Sequence, residues 1–501
     1  MFLEAVNKYC LQLTLALAVL ITSSIQAGPW IPVGDIWLRA DIEYLSDRGI
    51  IKSPITTWPI MWASIRNDLY NALEPAQFKK ISSREQETLI RLKRKFRQHT
   101  STSASYGVEL SSEPEVIRGF NNTPREQSSV FLQRQKTEDH WAYNLNLSYV
   151  FDPYIALNQI EDEVRYDGSY VTTILGNVAL GYGWIDKWWG PGWNSSLILT
   201  NNARPQQGFF FQRNHSEKFE SDWLQWVGPW TFQAFATVLD DNRVVNDANL
   251  LGLSISFKPS DDLEIGLRRT AQWGGDGRPQ TLESFLNLLI GRDNCGSDGI
   301  DECGAEDTNE PGNQLGAIDV RWRLPIELPM TFYLQTMGED EAGMLPSRRS
   351  LQTGINLNYQ LLNMPLQTFV EYNDTRTSHG NRYNLAYNHS LYRTGYRYLG
   401  RSLAASLDND SEAITIGTTL YLDDTDKLSL QLNRLRVNVD GAGLHTVSTN
   451  KQQTILINSE YATETDYGNI ALSLQYYTDN IDSFDRIGNK FRLSVAWRQH
   501  Y

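Results

Sequence analysis

The sequence predicts an all-β outer-membrane barrel of about 18 antiparallel strands with a small N-terminal α-helical bundle, and three observations carry that expectation. Apolar and polar residues alternate over most of the chain after residue 100, the period of a strand with one greasy and one wet face. Short turns alternate with long polar loops, as in a barrel whose hairpins close on one side of a membrane and open into loops on the other. The chain also begins with an export segment and ends on an aromatic strand.

Lys8 lies in a short n-region, Leu11 to Thr22 form an apolar run, and Ile25-Gln26-Ala27 ends on the small residue a signal peptidase prefers. Cleavage is therefore expected after Ala27, giving a signal peptide over 1–27. The alternative, an uncleaved anchor helix, needs about 20 apolar residues. Cys10 precedes the run and is not placed as a lipoprotein cysteine.

A single core rarely grows beyond roughly 250 to 300 residues, and this chain has 501. A barrel escapes the limit because its wall is one strand thick. Aromatic residues make up 11%, with 24 Tyr and 15 Trp, while hydrophobic residues are only 41% and mean hydropathy is -0.42. That polarity excludes a bundle of membrane helices, and no later uncharged apolar run is long enough to span, so insertion must use strands.

From Asp35 to about Thr100 the apolar spacing is helical. Leu38, Ile42 and Leu45 share a face that Gly49 stops; Trp62, Ile65, Leu69, Ala72 and Leu73 form a second stripe ended before Pro75. Ser82 and Glu85 make a capping box for a third helix, with Leu89, Leu92 and Phe96 on its face and Arg91, Lys93, Arg94, Lys95 and Arg97 toward its C-terminal dipole. The basic run reads as a solvated face, since export removes nucleic acid as a partner. Residues 28–100 hold 12 Lys and Arg against 8 Asp and Glu, a net of +4, and the signal is neutral; the chain total of -14 leaves -18 on the remainder. Charge thus divides the chain where period does, into a helical domain over 28–100 and a transmembrane barrel over 101–501.

Beyond residue 100, Trp141, Tyr143, Leu145, Leu147 and Tyr149 alternate with Ala142, Asn144, Asn146 and Ser148. Leu251, Leu253, Ile255 and Phe257 alternate with Gly252, Ser254, Ser256 and Lys258, and Leu351, Ile355, Leu357 and Tyr359 with Gln352, Gly354, Asn356 and Asn358. Short turns are expected at Pro259 to Asp261, Pro325 to Pro329, Leu361 to Met364, Asp423 to Asp426 and Thr463 to Asp466. The final strand puts Phe491, Leu493, Val495, Trp497 and Tyr501 on one face. The count is about four strands before residue 185, one near 205–213 and about thirteen after it.

The run Trp188-Trp189-Gly190-Pro191-Gly192-Trp193-Asn194-Ser195-Ser196-Leu197-Ile198-Leu199, with Asn201-Asn202-Ala203-Arg204-Pro205, resembles the capsule assembly family called Wzi. Further segments match in order: Ile50 to Pro59, Arg269 to Gly275, Gly338 to Gly343, Tyr387-Asn388-His389 and Gly395-Tyr396-Arg397-Tyr398. The resemblance covers essentially the whole mature chain. It implies an eighteen-stranded outer-membrane barrel, a periplasmic helical bundle at its inner mouth, and a lectin that holds capsular polysaccharide or exopolysaccharide at the cell surface. The implied partners are that polysaccharide, outer-membrane lipid and lipopolysaccharide, and periplasmic or outer-membrane polysaccharide export machinery.

By the strand count, Trp188 to Trp193 fall between a descending and an ascending strand, near the periplasmic end or folded into the lumen. Trp188, Trp189, Trp193 and Arg204 are therefore expected to be a lumen or structural motif. The glycan candidate is the long external segment from Arg376 to Asp410. There Tyr383, Tyr387, Asn388, His389, Tyr392, Tyr396, Arg397, Tyr398 and Arg401 combine rings for sugar faces, amides for hydroxyls and guanidiniums for uronate carboxylates. Packing of the loop over the barrel mouth is the alternative for the same residues.

In an exported protein Cys295 and Cys303 read as one loop disulfide; the alternative, a metal pair, lacks a His or further Cys. Asp293, Asp298, Asp301, Glu302, Glu306, Asp307 and Glu310 surround them without the order of a Ca²⁺ loop, so no metal is assigned and a solvated acidic loop is expected. No nucleophile elbow, zinc helix or P-loop is present, and no enzyme activity or cofactor is expected. A sugar-selective porin is the rival function, because eighteen strands can enclose a water-filled channel.

Overall fold

The computed structural model describes residues 30–138, 140–153, 162–289, 312–339, 348–362, 364–379, 382–383, 386–441, 444–483, 486–487 and 489–501. The expected signal peptide, Cys295, Cys303 and most of their acidic loop lie outside these residues.

The chain forms a closed barrel. Its strands are β1 Ser103–Ser111, β2 Ser128–Thr137, β3 Trp141–Phe151, β4 Tyr170–Leu175, β5 Val178–Trp184, β6 Gln207–Arg213, β7 Trp230–Val238, β8 Asn249–Ser260 and β9 Leu263–Trp273. They continue as β10 Gly312–Arg323, β11 Met330–Glu339, β12 Arg348–Leu361, β13 Met364–Asp374, β14 Glu412–Tyr421, β15 Lys427–Val437, β16 Gln452–Thr465, β17 Gly468–Tyr477 and β18 Phe491–His500. A two-residue piece, Val164–Arg165, extends β4 along β3, so the wall has eighteen strands, and β18 closes it against β1 with Trp497 opposite Val108. The expected alternation is visible in exposure: Trp141, Leu145, Leu147 and Tyr149 face outward while Ala142 and Asn144 are buried in the lumen.

The total matches the expected number, but five strands precede residue 185 rather than four, and twelve follow β6. The additional crossing is the tight hairpin of β4 and β5, six and seven residues joined through Gly176 at φ 60 and Asn177, short enough to read as one segment. This reverses the direction of residues 185–213 alone, since the total and the short turns beyond β7 stay as expected. β5 rises to the end of the barrel that carries the long loops, so residues 185–206 start and finish at the loop end and fold inward from there. The last short turn also lies slightly later than expected, at 466–467, because β16 continues to Thr465.

Helix α1 (Ile36–Asp47) is capped by Asp35, whose Oδ1 accepts from the Leu38 N–H at 2.9 Å. It ends at Gly49, where φ of 71 lets Gly49 and Ile50 donate back to Ser46 and Leu45. Helices α2 (Trp62–Leu73), α3 (Pro75–Phe78) and α4 (Ser83–Thr100) follow, and both bonds of the Ser82 and Glu85 capping box are present. All twelve residues of α1 are buried, including four charged ones. It is therefore a lumen helix, inserted through the short-turn end, and only α2, α3 and α4 present a free face.

Lumen-facing rings fill the wall by lying over glycines on the next strand. Phe131 faces Gly107, Phe210 Gly181, Phe235 Gly252, Tyr333 Gly354 and Phe369 Gly417 as direct cross-strand partners. A Cβ on Gly417 would meet the Phe369 ring at 2.3 Å. Gly417→Val should therefore push Phe369 off its seat and destabilise the barrel by about 1–3 kcal/mol. Denaturant unfolding followed by the heat-modifiable shift on gels checks this; an unchanged midpoint would mean the ring has room to move.

Candidate functional site

The two most distinctive stretches of the sequence meet inside the lumen. Trp188 pairs with Trp58 and Trp189 with Thr57 in a two-stranded sheet, one strand descending from the loop end and the other carried up between α1 and α2. Trp188, Trp189 and Trp193 are fully buried, so the segment is a plug. Arg204, at its return, forms a bidentate pair with Asp167 at 3.0 Å.

The wall holds this plug by charge. Glu371 on β13 accepts from the backbone N–H of Trp193 at 2.6 Å and of Asn194 at 3.2 Å, and from Tyr333 Oη and Asn373 Nδ2. Glu264 on β9 accepts from the N–H groups of Ile55 and Thr56. Arg268 and Asp319 form an ion pair with no exposed surface, and the same guanidinium donates to Thr56 and Thr57. From α1, Arg39 donates to the Pro191 carbonyl at 2.7 Å while its guanidinium lies 4.5 Å from the Phe120 ring and 4.4 Å from the Trp193 ring. None of these anchors was singled out from sequence. Their one visible signal is charge at lumen parity in a strand: Glu264, Arg268, Asp319, Arg321 and Glu371 all sit where the neighbouring positions face lipid.

The segment 375–411 lies on top of the plug. Tyr387 Oη donates to the Leu197 carbonyl at 2.8 Å, the Thr200 N–H donates to Leu403, and Asn202 donates to Ser402. Arg397 grips Asp408 in a bidentate pair at 2.9 and 3.0 Å and reaches Asn388 at 2.8 Å, and Tyr392 Oη donates to Gly274. Arg401 donates to the Glu115 carbonyl. Of the residues expected to meet glycan, Tyr387, Tyr392, Tyr396, Arg397 and Arg401 are buried, whereas Asn388, His389 and Tyr398 keep part of their surface. Tyr383 lies in the short strand Arg382–Tyr383, and its side chain is outside the described residues. The buried five thus pack the loop. The other three keep part of their surface, although Tyr398 also packs against the buried core and Asn388 is held between Arg397 and the Leu444 carbonyl.

The lumen around the plug is uneven. Lumen-facing positions such as Ser254, Gln335, Gln352, Asn356 and Thr415 are completely buried on β8 to β14. From β15 round to β3, Gln431, Glu460, Ala471, Ala496, Gln133 and Asn146 remain partly exposed. Residues 112–127 roof this wetter side, with Glu115 accepting from Arg118, Thr123 and Gln475, and Ile117 buried in an apolar cluster with Leu435 and Tyr477.

Among the described residues no group of three or more His, Cys, Asp or Glu is placed to hold a metal ion. At the loop end, burial and the neighbouring Asp440 carboxylate push the Asp410 carboxyl up to about 6, against backbone donors from Asp440 and Gly441. Beside it Asp408 is buried too, yet Arg397 and His445 hold its carboxyl below the usual range.

A family model described as capsule assembly protein Wzi matches residues 94–486, and the chain belongs to that family. A Klebsiella pneumoniae relative, a 55.8 kDa protein in the cps region, is 33% identical over 350 residues, which is 69% of this chain and 65% of that protein's length. The chain therefore spans just under two thirds of that relative. The solved structure of Wzi from Escherichia coli, described as an outer-membrane protein involved in group 1 capsule assembly and as a carbohydrate-binding β-barrel, superposes with a TM-score of 0.81. It is 27% identical, and the match covers 94% of this chain and 99% of that one.

Because the Asp410 carboxyl has a raised pKa, its contribution to stability is full below the ordinary value of 3.8 and fades as pH rises through about 6. Asp410→Asn should remove that loss, protecting the amides of 408–411 and 438–441 from hydrogen exchange more strongly at neutral pH while leaving acid protection unchanged. Equal exchange in both proteins at neutral pH would refute the linkage.

Proposed function

We propose that this Wzi-family chain is an outer-membrane lectin that binds capsular polysaccharide or exopolysaccharide and retains it at the cell surface without catalysing a reaction. The carrying observation is the match, over nearly the whole chain, to a barrel described as carbohydrate-binding, combined with a lumen filled by the family's own most distinctive segment. A filled lumen leaves the loop end as the surface a polymer can meet. There the half-exposed Asn388, His389 and Tyr398 are held by buried Tyr387, Tyr392, Tyr396, Arg397 and Arg401, which gives glycan a pre-ordered platform. Weak contacts repeated along a polymer, and between neighbouring barrels, then add through multivalency.

The orientation follows bacterial barrels, with the short turns and α2, α3 and α4 in the periplasm, α1 inserted into the lumen from that side, and long loops outside. Lipid and lipopolysaccharide contact the outward faces of 101–501. The basic run of α4 turns largely onto α1 and the barrel rim, through Arg91 on Asp41 and Lys95 on Asp35 and Glu464, so the exposed side of α2 to α4 is the surface available to polysaccharide export machinery on the inner side. A sugar-selective porin would need a wetted passage, and the fully buried lumen positions of β8 to β14 favour the lectin.

Deleting the gene should leave polymer synthesis intact while polymer is shed into the medium; a deletant that retains normal capsule would sink the proposal. In planar bilayers the purified barrel should pass no large steady conductance and should still bind purified polymer, whereas a conductance blocked by small sugars would favour the porin. His389→Ala with Tyr398→Ala should weaken polymer binding in a barrel that still assembles, and unchanged binding would move the contact surface off this loop.

A further inference from the structure

Among the described residues one connection at the short-turn end is long, residues 214–229 between β6 and β7; Asn214 and Ser216 bond Ser64 and Ser53 of the N-terminal region, and from Phe219 onward it packs against the outside of the barrel. Its last part is a 3-10 helix, Asp222–Val227, in which Trp223 is 75% and Trp226 62% exposed. Trp226 meets Phe257 edge-on at 6.2 Å. Phe219 stacks on Trp230 at 4.7 Å, Trp230 on Phe232 at 6.3 Å, and the Arg213 guanidinium covers Trp230 at 3.7 Å.

Phe257, Trp230 and Phe232 point outward, because the alternating Ser256, Lys258, Thr231 and Gln233 are buried in the lumen. The rings of the connection are therefore continuous with the lipid-facing wall at the lower end of β7 and β8. Gly228, at φ 69, presses the end of the helix onto that wall, where a Cβ would overlap the Lys258 carbonyl oxygen.

We propose that Asp222–Val227 is an in-plane membrane anchor, with Trp223 and Trp226 seated at headgroup depth in the leaflet at the short-turn end and a phospholipid headgroup layer as their partner. Indoles favour that depth because the ring is apolar and its N–H still finds polar partners. Two such rings on one exposed turn would otherwise form an apolar patch in water. Lys218 and Arg213 are offset by Glu217, Glu220 and Asp222, so the indoles hold the segment and anionic headgroups are not required.

The test compares wild-type protein with Trp223→Phe/Trp226→Phe in nanodiscs of brominated or unbrominated phosphatidylcholine, with iodide as the aqueous quencher. The fluorescence lost in the variant should be the part that brominated lipid quenches and iodide does not. If that lost part is instead quenched by iodide and spared by brominated lipid, the helix faces water or a protein partner and the proposal fails. Should the variant not assemble, photoactivatable phosphatidylcholine on the wild-type barrel decides the matter. Cross-links on the peptide holding 219–227 support the anchor; labelling of β7 and β8 without that peptide overturns it.

Discussion

Carboxylates and guanidiniums enter the wall of this barrel at positions that water does not reach, and each must find its partner on the segments folded inside. An unpaired charge or polar group in such a place costs several kcal/mol, so wall and plug are specified together. Glu371 makes the point: its oxygens are taken by the backbone of Trp193 and Asn194, by Tyr333 and by Asn373. Glu264 does the same for Ile55 and Thr56. A plug removed from such a wall would leave buried charge behind it, which explains why the lumen is filled by fixed backbone.

The anchors also connect the two ends of the molecule. Segment 375–411 rests on 185–206 through Tyr387, Thr200 and Asn202; that segment pairs with Thr57 and Trp58; and those residues lead directly into α2, while Arg39 of α1 holds Pro191 from below. Parts of the chain that start at opposite faces of the membrane thus share one core. The N-terminal helices consequently differ from a tethered domain. Asp41 is held by Arg91 and Tyr421, and Asp47 by Arg321 and Thr331, so α1 is fixed both to its own bundle and to the wall.

Much of this was legible in the sequence because it rests on local rules. The two-residue period gave the strands and their faces, Ser82 with Glu85 and the stop at Gly49 marked helix ends, and charged residues at lumen parity were present to be read. What was not legible depends on partners hundreds of residues away. Arg39, Asp41, Glu43 and Asp47 look like a solvated helix face, and only the distant Pro191, Tyr421, Asn356 and Arg321 make it a buried one. The β4–β5 hairpin hid a crossing, and that single miscount reversed the inferred direction of the Trp188 to Trp193 segment. Composition likewise announced rings and guanidiniums in 375–411 without saying which would turn inward.

That inward turn bears on how a lectin of this kind could work. Rings and long polar side chains on a mobile loop would have to be ordered by the glycan, at about 0.5–1.5 kcal/mol for each immobilised side chain. Here Arg397 is already locked to Asp408 and Asn388, and Tyr387 to Leu197, before any ligand arrives. The ordering cost is carried by folding, so under the proposed function the loop's partly exposed groups would bind glycan weakly and reversibly. Weak contacts on a rigid base suit a polymer that must be held at many points yet can slide and be renewed. Under the proposed function the plug would serve retention by stiffening the surface above it, while it fills the β8 to β14 side of the lumen.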